Sequence, residues 1–109
     1  MSTYVCIGRL ILRYALGRGD KMSEMRLDPV IVGEVIAAYR LRKGVTQEVL
    51  SGLSDIGRTH LSAIERGERK PTLETLYRIS MALEVKMSTI VQSIEEELEK
   101  KEPSGRTNK

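Results

Sequence analysis

The chain has 109 residues, with 18 Lys and Arg against 15 Asp and Glu for a formal charge of +3, no Trp or Phe, four Tyr, one Cys and one His. This length holds one small domain with a single core, which has to be built from Leu, Ile, Val, Met and a few Tyr. The lone Cys6 excludes an intramolecular disulfide. Neither it nor His60 belongs to a metal-binding cluster, and no paired nucleophile and base or phosphate loop is visible, so no enzyme activity, metal or cofactor is expected.

Residues 1–25 read as an N-terminal extension with two open interpretations. The apolar run from Tyr4 to Leu16 is cut by Arg9 and Arg13 and is too short to span a bilayer. It lacks the cleavage site of a secretory signal and only mildly matches a transit peptide in composition. Arg18-Gly19-Asp20-Lys21 can be encoded by purine-rich codons that resemble a bacterial ribosome-binding site, which makes Met22, or secondarily Met25, a candidate natural start. The other interpretation is an additional element packed on the domain or on a partner. Four basic residues against one acid put the whole excess charge in residues 1–21, so the remainder sums to zero.

From Asp28 the pattern becomes helical. Asp28 is an N-cap candidate and Pro29 suits the first helical position. Val32, Val35, Ile36 and Tyr39 recur at helical spacing, and Gly44 is the stop. A second helix starts at Gln47 with Thr46 as its cap. Its apolar side is expected from Val49, Leu50 and Leu53, with Ser51 and Gly52 allowing close approach. Asp55-Ile56-Gly57 makes a sharp corner, since aspartate tolerates the left-handed conformation and glycine can cap the next helix. The third helix, Arg58 to Arg66, turns Leu61 and Ile64 inward and presents Arg58, Thr59, Ser62 and Arg66 on the opposite face, and Gly67 stops it. Thr72 caps a fourth helix with Leu73, Leu76, Ile79 and Leu83 inward and Tyr77 and Met81 at its margins. A fifth, from Met87 to Lys100, carries Met87, Ile90, Val91, Ile94 and Leu98 on one stripe. Residues 26–94 are therefore expected to be the folded domain, and residues 95–109 an acidic helix end and disordered tail.

The stretch QEVLSGLSDIGRTHLSAIERGERKP, two short helices about a tight corner, matches the DNA-reading helix-turn-helix in dimensions. Thr46-Gln47, Leu50, the run RTHLSAIERGERKP and the later LETLYRISMAL resemble the helix-turn-helix family of phage Cro and repressor proteins, the XRE-type regulators. RTHLSAIERG is similar in particular to restriction-modification controller proteins. The likeness spans roughly Val32 to Val91, with three departures: Asp55 in place of the turn glycine, Ser51 in place of alanine, and Glu84 where a glycine often ends the fourth helix. The resemblance implies an all-α, five-helix, lambda-repressor-like domain in which helices two and three form the motif.

It also implies an Arg40–Glu65 ion pair tying helix one to the reading helix, and a phosphate-clamping role for Gln47 beside Thr46. On the reading helix, Arg58 and Thr59 in the first turn are the leading base readers, with Ser62 and Ala63 as shallower candidates. His60, Arg66, Arg69 and Lys70 are expected to flank phosphates. Ile90, Ile94 and Leu98 are expected to dimerise, because the stripe on helix five outlasts the family's usual core. The expected function is a transcriptional regulator of repressor or controller type, cytoplasmic and nucleoid-associated, binding double-stranded DNA as a homodimer on a two-fold operator. No membrane or small-molecule partner is expected. The alternative is a protein-interaction module on the same fold, either an antitoxin or a coactivator-like bridge.

Overall fold

A computed structural model describes residues 26–100 of the protein. The readings of the N-terminal extension, including the Met22 start, and of the tail beyond Lys100 lie outside the described residues. The described residues form five helices and no strand: α1 (Pro29–Lys43), α2 (Gln47–Ser54), α3 (Arg58–Glu65), α4 (Leu73–Leu83) and α5 (Met87–Lys100).

Local chemistry fixes nearly every boundary. Asp28 Oδ1 accepts from the Val30 amide at 2.9 Å, Thr46 Oγ1 from Val49 at 3.1 Å and Thr72 Oγ1 from Thr75 at 3.0 Å, so α1, α2 and α4 each start on a side-chain cap. Three helices end on left-handed residues. Gly44 (φ 81°) closes α1, as a glycine should, whereas Asp55 (φ 59°) closes α2 and Glu84 (φ 61°) closes α4. These last two are the positions where the resembled family favours glycine. The backbone keeps the glycine conformation although the side chains are larger, a local strain offset by contacts. Arg78 donates to the Asp55 carbonyl at 3.2 Å, and Lys43 Nζ meets Glu84 Oε1 at 2.6 Å.

The core is aliphatic, as the composition requires: Ile31, Val32, Val35, Ile36, Leu50, Leu61, Ile64, Leu76, Ile79, Leu83, Ile90 and Ile94. α1 lies against α3 and α5, and α2 lies against α3 and α4. Ser51, Ser54 and Ser80 are buried at these contacts, and their hydroxyls donate to carbonyls one turn back, at 2.9 Å to Glu48, 2.7 Å to Leu50 and 2.8 Å to Tyr77. Small side chains thus admit close helices without leaving a buried donor unpaired.

Several expectations are corrected. Leu53 and Leu73 are 62% and 70% exposed, and Val49 is exposed as well, so α2 turns inward through Leu50 and its serines. Gly52 stands in open space and is not a contact point, while Ile31 joins the core unanticipated. The third helix ends at Glu65, with Arg66 as its C-cap. The stripe on α5 is used within the chain: Ile90 is fully buried, Ile94 is 4% exposed and Leu98 packs against the same core. Ile90 and Ile94 are therefore not a free dimerisation surface, whereas Leu98 is only partly buried and Val91, on the same helix, is exposed. α1, roughly 22 Å long for its 15 residues, packs against the 14-residue α5. Tyr39 OH and Ser93 Oγ, 2.6 Å apart, join the two helices beside that seam.

Candidate nucleic-acid interface

α3 is only eight residues long, about 12 Å, so its position depends on what holds it. Its inner side is Leu61, Ala63 and Ile64. Its outer side begins with Arg58 and Thr59, both exposed, and neither has a hydrogen bond or ion pair among the described residues. The N-cap is Gly57, which offers no side-chain acceptor, so the first-turn amides also lack a side-chain cap. This end of the helix has donors and a cation to offer outward.

The other end is heavily tied down. Glu65, with its side chain 6% exposed, receives Arg40 Nε at 2.7 Å on Oε2 and Arg40 Nη2 at 3.0 Å on Oε1, a two-pronged fork between α1 and α3. Arg40 Nη1 also donates to the Val45 carbonyl at 2.9 Å, and Gln47 Nε2 donates to Glu65 Oε1 at 2.8 Å. One carboxylate therefore joins the end of α1 and the start of α2 to α3. The geometry implied for Arg40 and Glu65 is present. Gln47, expected to clamp a phosphate, has its side-chain amide on Glu65 in this structure.

Gly33, which no reading of the sequence singled out, is the second anchor. A Cβ there would lie 2.3 Å from the Ile64 carbonyl oxygen and 2.6 Å from that of Glu65, so α1 touches the end of α3 backbone to backbone. A signal was available, because a glycine inside a helical pattern costs about 1 kcal/mol relative to alanine and usually has a packing reason. Gly67 (φ 82°) repeats the arrangement one turn on. A Cβ there would lie 2.9 Å from the Cα of Val30, and its amide donates to Ile64 at 3.0 Å.

The remaining candidates separate. Ala63 is 9% exposed and faces the interior, so it is withdrawn as a base reader; its carbonyl accepts the amides of Glu68 and Arg69 at 2.9 and 3.3 Å and so shapes the exit loop. Ser62 is half-buried and accepts from Arg66 Nη1. Arg66 is also forked onto Glu68, with two contacts of 2.9 Å. These hydrogen bonds, and then the opposite charge, hold the Arg66 guanidinium above its ordinary range and the Glu68 carboxyl below the usual carboxylate range. Arg69 and Lys70 are exposed in the loop after α3, and His60 is half-buried beside Thr59. Thr46 uses its hydroxyl as the cap of α2. Among the described residues no cluster of His, Cys, Asp and Glu could hold a metal, and no helix is long and apolar enough to cross a membrane.

Comparison with known proteins agrees with this geometry. Residues 36–90 match the model of a helix-turn-helix family. An uncharacterised helix-turn-helix transcriptional regulator, y4dJ of Sinorhizobium fredii, is 39% identical over 66 residues, which are 61% of this chain and 86% of the relative. The restriction-modification controller protein C.Esp1396I, solved as a tetramer in complex with its natural 35 base-pair operator, superposes with a TM-score of 0.62 at 35% identity, covering 68% of this chain and 97% of that one. The controller protein C.AhdI of Aeromonas hydrophila gives 0.57 at 29% identity, covering 60% and 98%. These relatives favour a DNA-binding regulator over an antitoxin or a coactivator-like bridge. The chain belongs to the helix-turn-helix family of DNA-binding transcriptional regulators, a family of regulators and not of enzymes.

Proposed function

We propose that the protein is a regulator of repressor or controller type that binds a two-fold DNA operator as a homodimer, reading bases with the first turn of α3. The observation that carries this reading is the contrast within that helix: Arg58 and Thr59 are exposed and unengaged among the described residues, while the opposite end is fixed by Glu65 and Gly33. Arg58 reaches guanine O6 and N7 with two donors, and Thr59 offers a hydroxyl to a base or phosphate and a methyl to thymine. Thr46 and Gln47 at the start of α2, and His60, Arg69 and Lys70 around α3, hold the phosphates. Such a protein acts where a bacterial chromosome lies, at the nucleoid in the cytoplasm.

Self-association on DNA is supported by the tetramer in which C.Esp1396I was solved on its operator, and a two-fold dimer is the smallest such assembly that matches a two-fold operator. Ile90 and Ile94 are buried within the chain, so of the stripe on α5 only the partly buried Leu98 and the exposed Val91 remain for such a contact. The experiment is selection of binding sites from random DNA, with the mass of the bound species measured by light scattering. The expected result is two inverted half-sites about 34 Å apart, one helical turn, occupied by two chains. Recovery of no preferred sequence, or of a single unpaired half-site, contradicts the proposal.

A further inference from the structure

Glu68 is the only acid in the run from Arg66 to Lys70, and it lies in the loop that carries two proposed phosphate contacts, Arg69 and Lys70. Its carboxylate is engaged with a cation of that same surface. Arg66 Nε donates to Oε2 and Nη2 to Oε1, both at 2.9 Å, while Nη1 turns back to Ser62 on the outer side of α3. The side chains of Arg66 and Glu68 are 53% and 60% exposed, so the fork stands on the surface and not in the core.

We propose that Glu68 is a specificity-determining residue: by holding Arg66 in this fork it withholds one positive charge from the DNA backbone, and so suppresses sequence-independent binding. This rests on the reading of α3 as the DNA-facing helix. In a loose complex with DNA of the wrong sequence, phosphates stand farther from Arg66 and are screened by salt, whose Debye length is about 8 Å at physiological strength, so the adjacent carboxylate remains the better partner. When α3 seats fully on its operator, a phosphate comes within hydrogen-bonding distance and exchanges for the carboxylate. An exposed ion pair is weak enough to permit this. The bond from Arg66 to Ser62 couples the exchange to the seating of α3 itself. The charge of Arg66 thus acts on the correct site and is silent elsewhere.

The test uses the full chain carrying Glu68→Gln, with binding measured across a range of salt to the selected operator and to a duplex of scrambled sequence. For the scrambled duplex, the slope of log K against log salt should steepen by about 0.9, one phosphate contact, so that affinity lost between about 50 and 200 mM salt grows about 3.5-fold. The operator slope should stay as in wild type, and the ratio of operator to scrambled affinity should fall. In an Arg66→Ala background the same Glu68→Gln change should leave both slopes unmoved. An unchanged slope on scrambled DNA overturns the inference, and so does a change that persists without Arg66, because Glu68 would then act by general repulsion. If the wild-type chain itself binds no duplex, the DNA-facing reading of α3 fails first, and that arm shows it independently of any variant.

Discussion

The two ends of α3 are built on opposite plans. At the C-terminal end, one carboxylate is gripped by Arg40 and Gln47, two carbonyls rest on Gly33, and Gly67 lies against Val30. At the N-terminal end, Gly57 supplies no side-chain cap, and Arg58 and Thr59 stand free of partners among the described residues. A two-turn helix has little stability of its own, so fixing one end from three directions is what allows the other to present unsatisfied donors at a defined place. The ties that position the helix are concentrated at one end, and the unengaged first-turn groups proposed to read bases stand at the other.

The comparison is broken most severely by removing the shared carboxylate. Glu65→Ala leaves Arg40 nearly buried and unpaired, its side chain being 12% exposed, and should lower stability by about 3–5 kcal/mol in urea denaturation. Gly33→Ala comes next. Its Cβ would meet carbonyl oxygens that cannot swing aside, and overpacking of this kind costs about 1–3 kcal/mol. Because the strain falls on the seat of α3, affinity for the operator should drop more than affinity for scrambled DNA in a binding titration; equal losses would mean that Gly33 serves the fold alone.

A far smaller effect is expected away from α3, at Lys43 and Glu84. The hydrogen bond from Lys43, and then its charge, hold the Glu84 carboxyl below the usual carboxylate range. A folded-state value below the unfolded one stabilises the protein above the unfolded value and is lost as pH falls through the folded one. Glu84→Gln should therefore be slightly less stable than wild type at neutral pH, and the two denaturation midpoints should converge on acidification, with operator binding unchanged. Midpoints equally separated at all pH values would assign the difference to the strained backbone at Glu84 and not to its charge.

Much of this arrangement could be read in the sequence, because caps and corners depend on single residues. Asp28, Thr46, Thr72, Gly44 and Gly67 act locally and stand where their chemistry places them, and the left-handed Asp55 follows from its position in the corner. Side-chain direction on two-turn helices was harder to read. In α2 the apolar Val49, Leu50 and Leu53 all satisfy a loose helical spacing, yet only Leu50 is buried, because the choice is made by α4 across the contact. Leu73 is a similar case at the first residue of α4. Ile94 differs for a tertiary reason: a stripe beyond a family's usual core looks unpartnered in the sequence, but packing of α5 against α1 and α4 brings Ile94 into the core. At the candidate site, the exposed ends of Arg58 and Thr59 follow from position within the motif. The buried face of Ala63 and the fork between Arg66 and Glu68 depend on the path of the exit loop, which the motif does not encode.

The central claim, that the free end of α3 reads and the fixed end only positions, is tested most directly by Arg58→Ala against a library in which every position of the selected operator is varied. Arg58 is exposed and its side chain makes no hydrogen bond or ion pair among the described residues, so the thermal midpoint should match wild type. Preference should be lost at one base pair in each half-site, at about 1–3 kcal/mol, with the other positions retained. A variant that keeps the wild-type preference at every position, or that loses affinity equally for all sequences, contradicts the account.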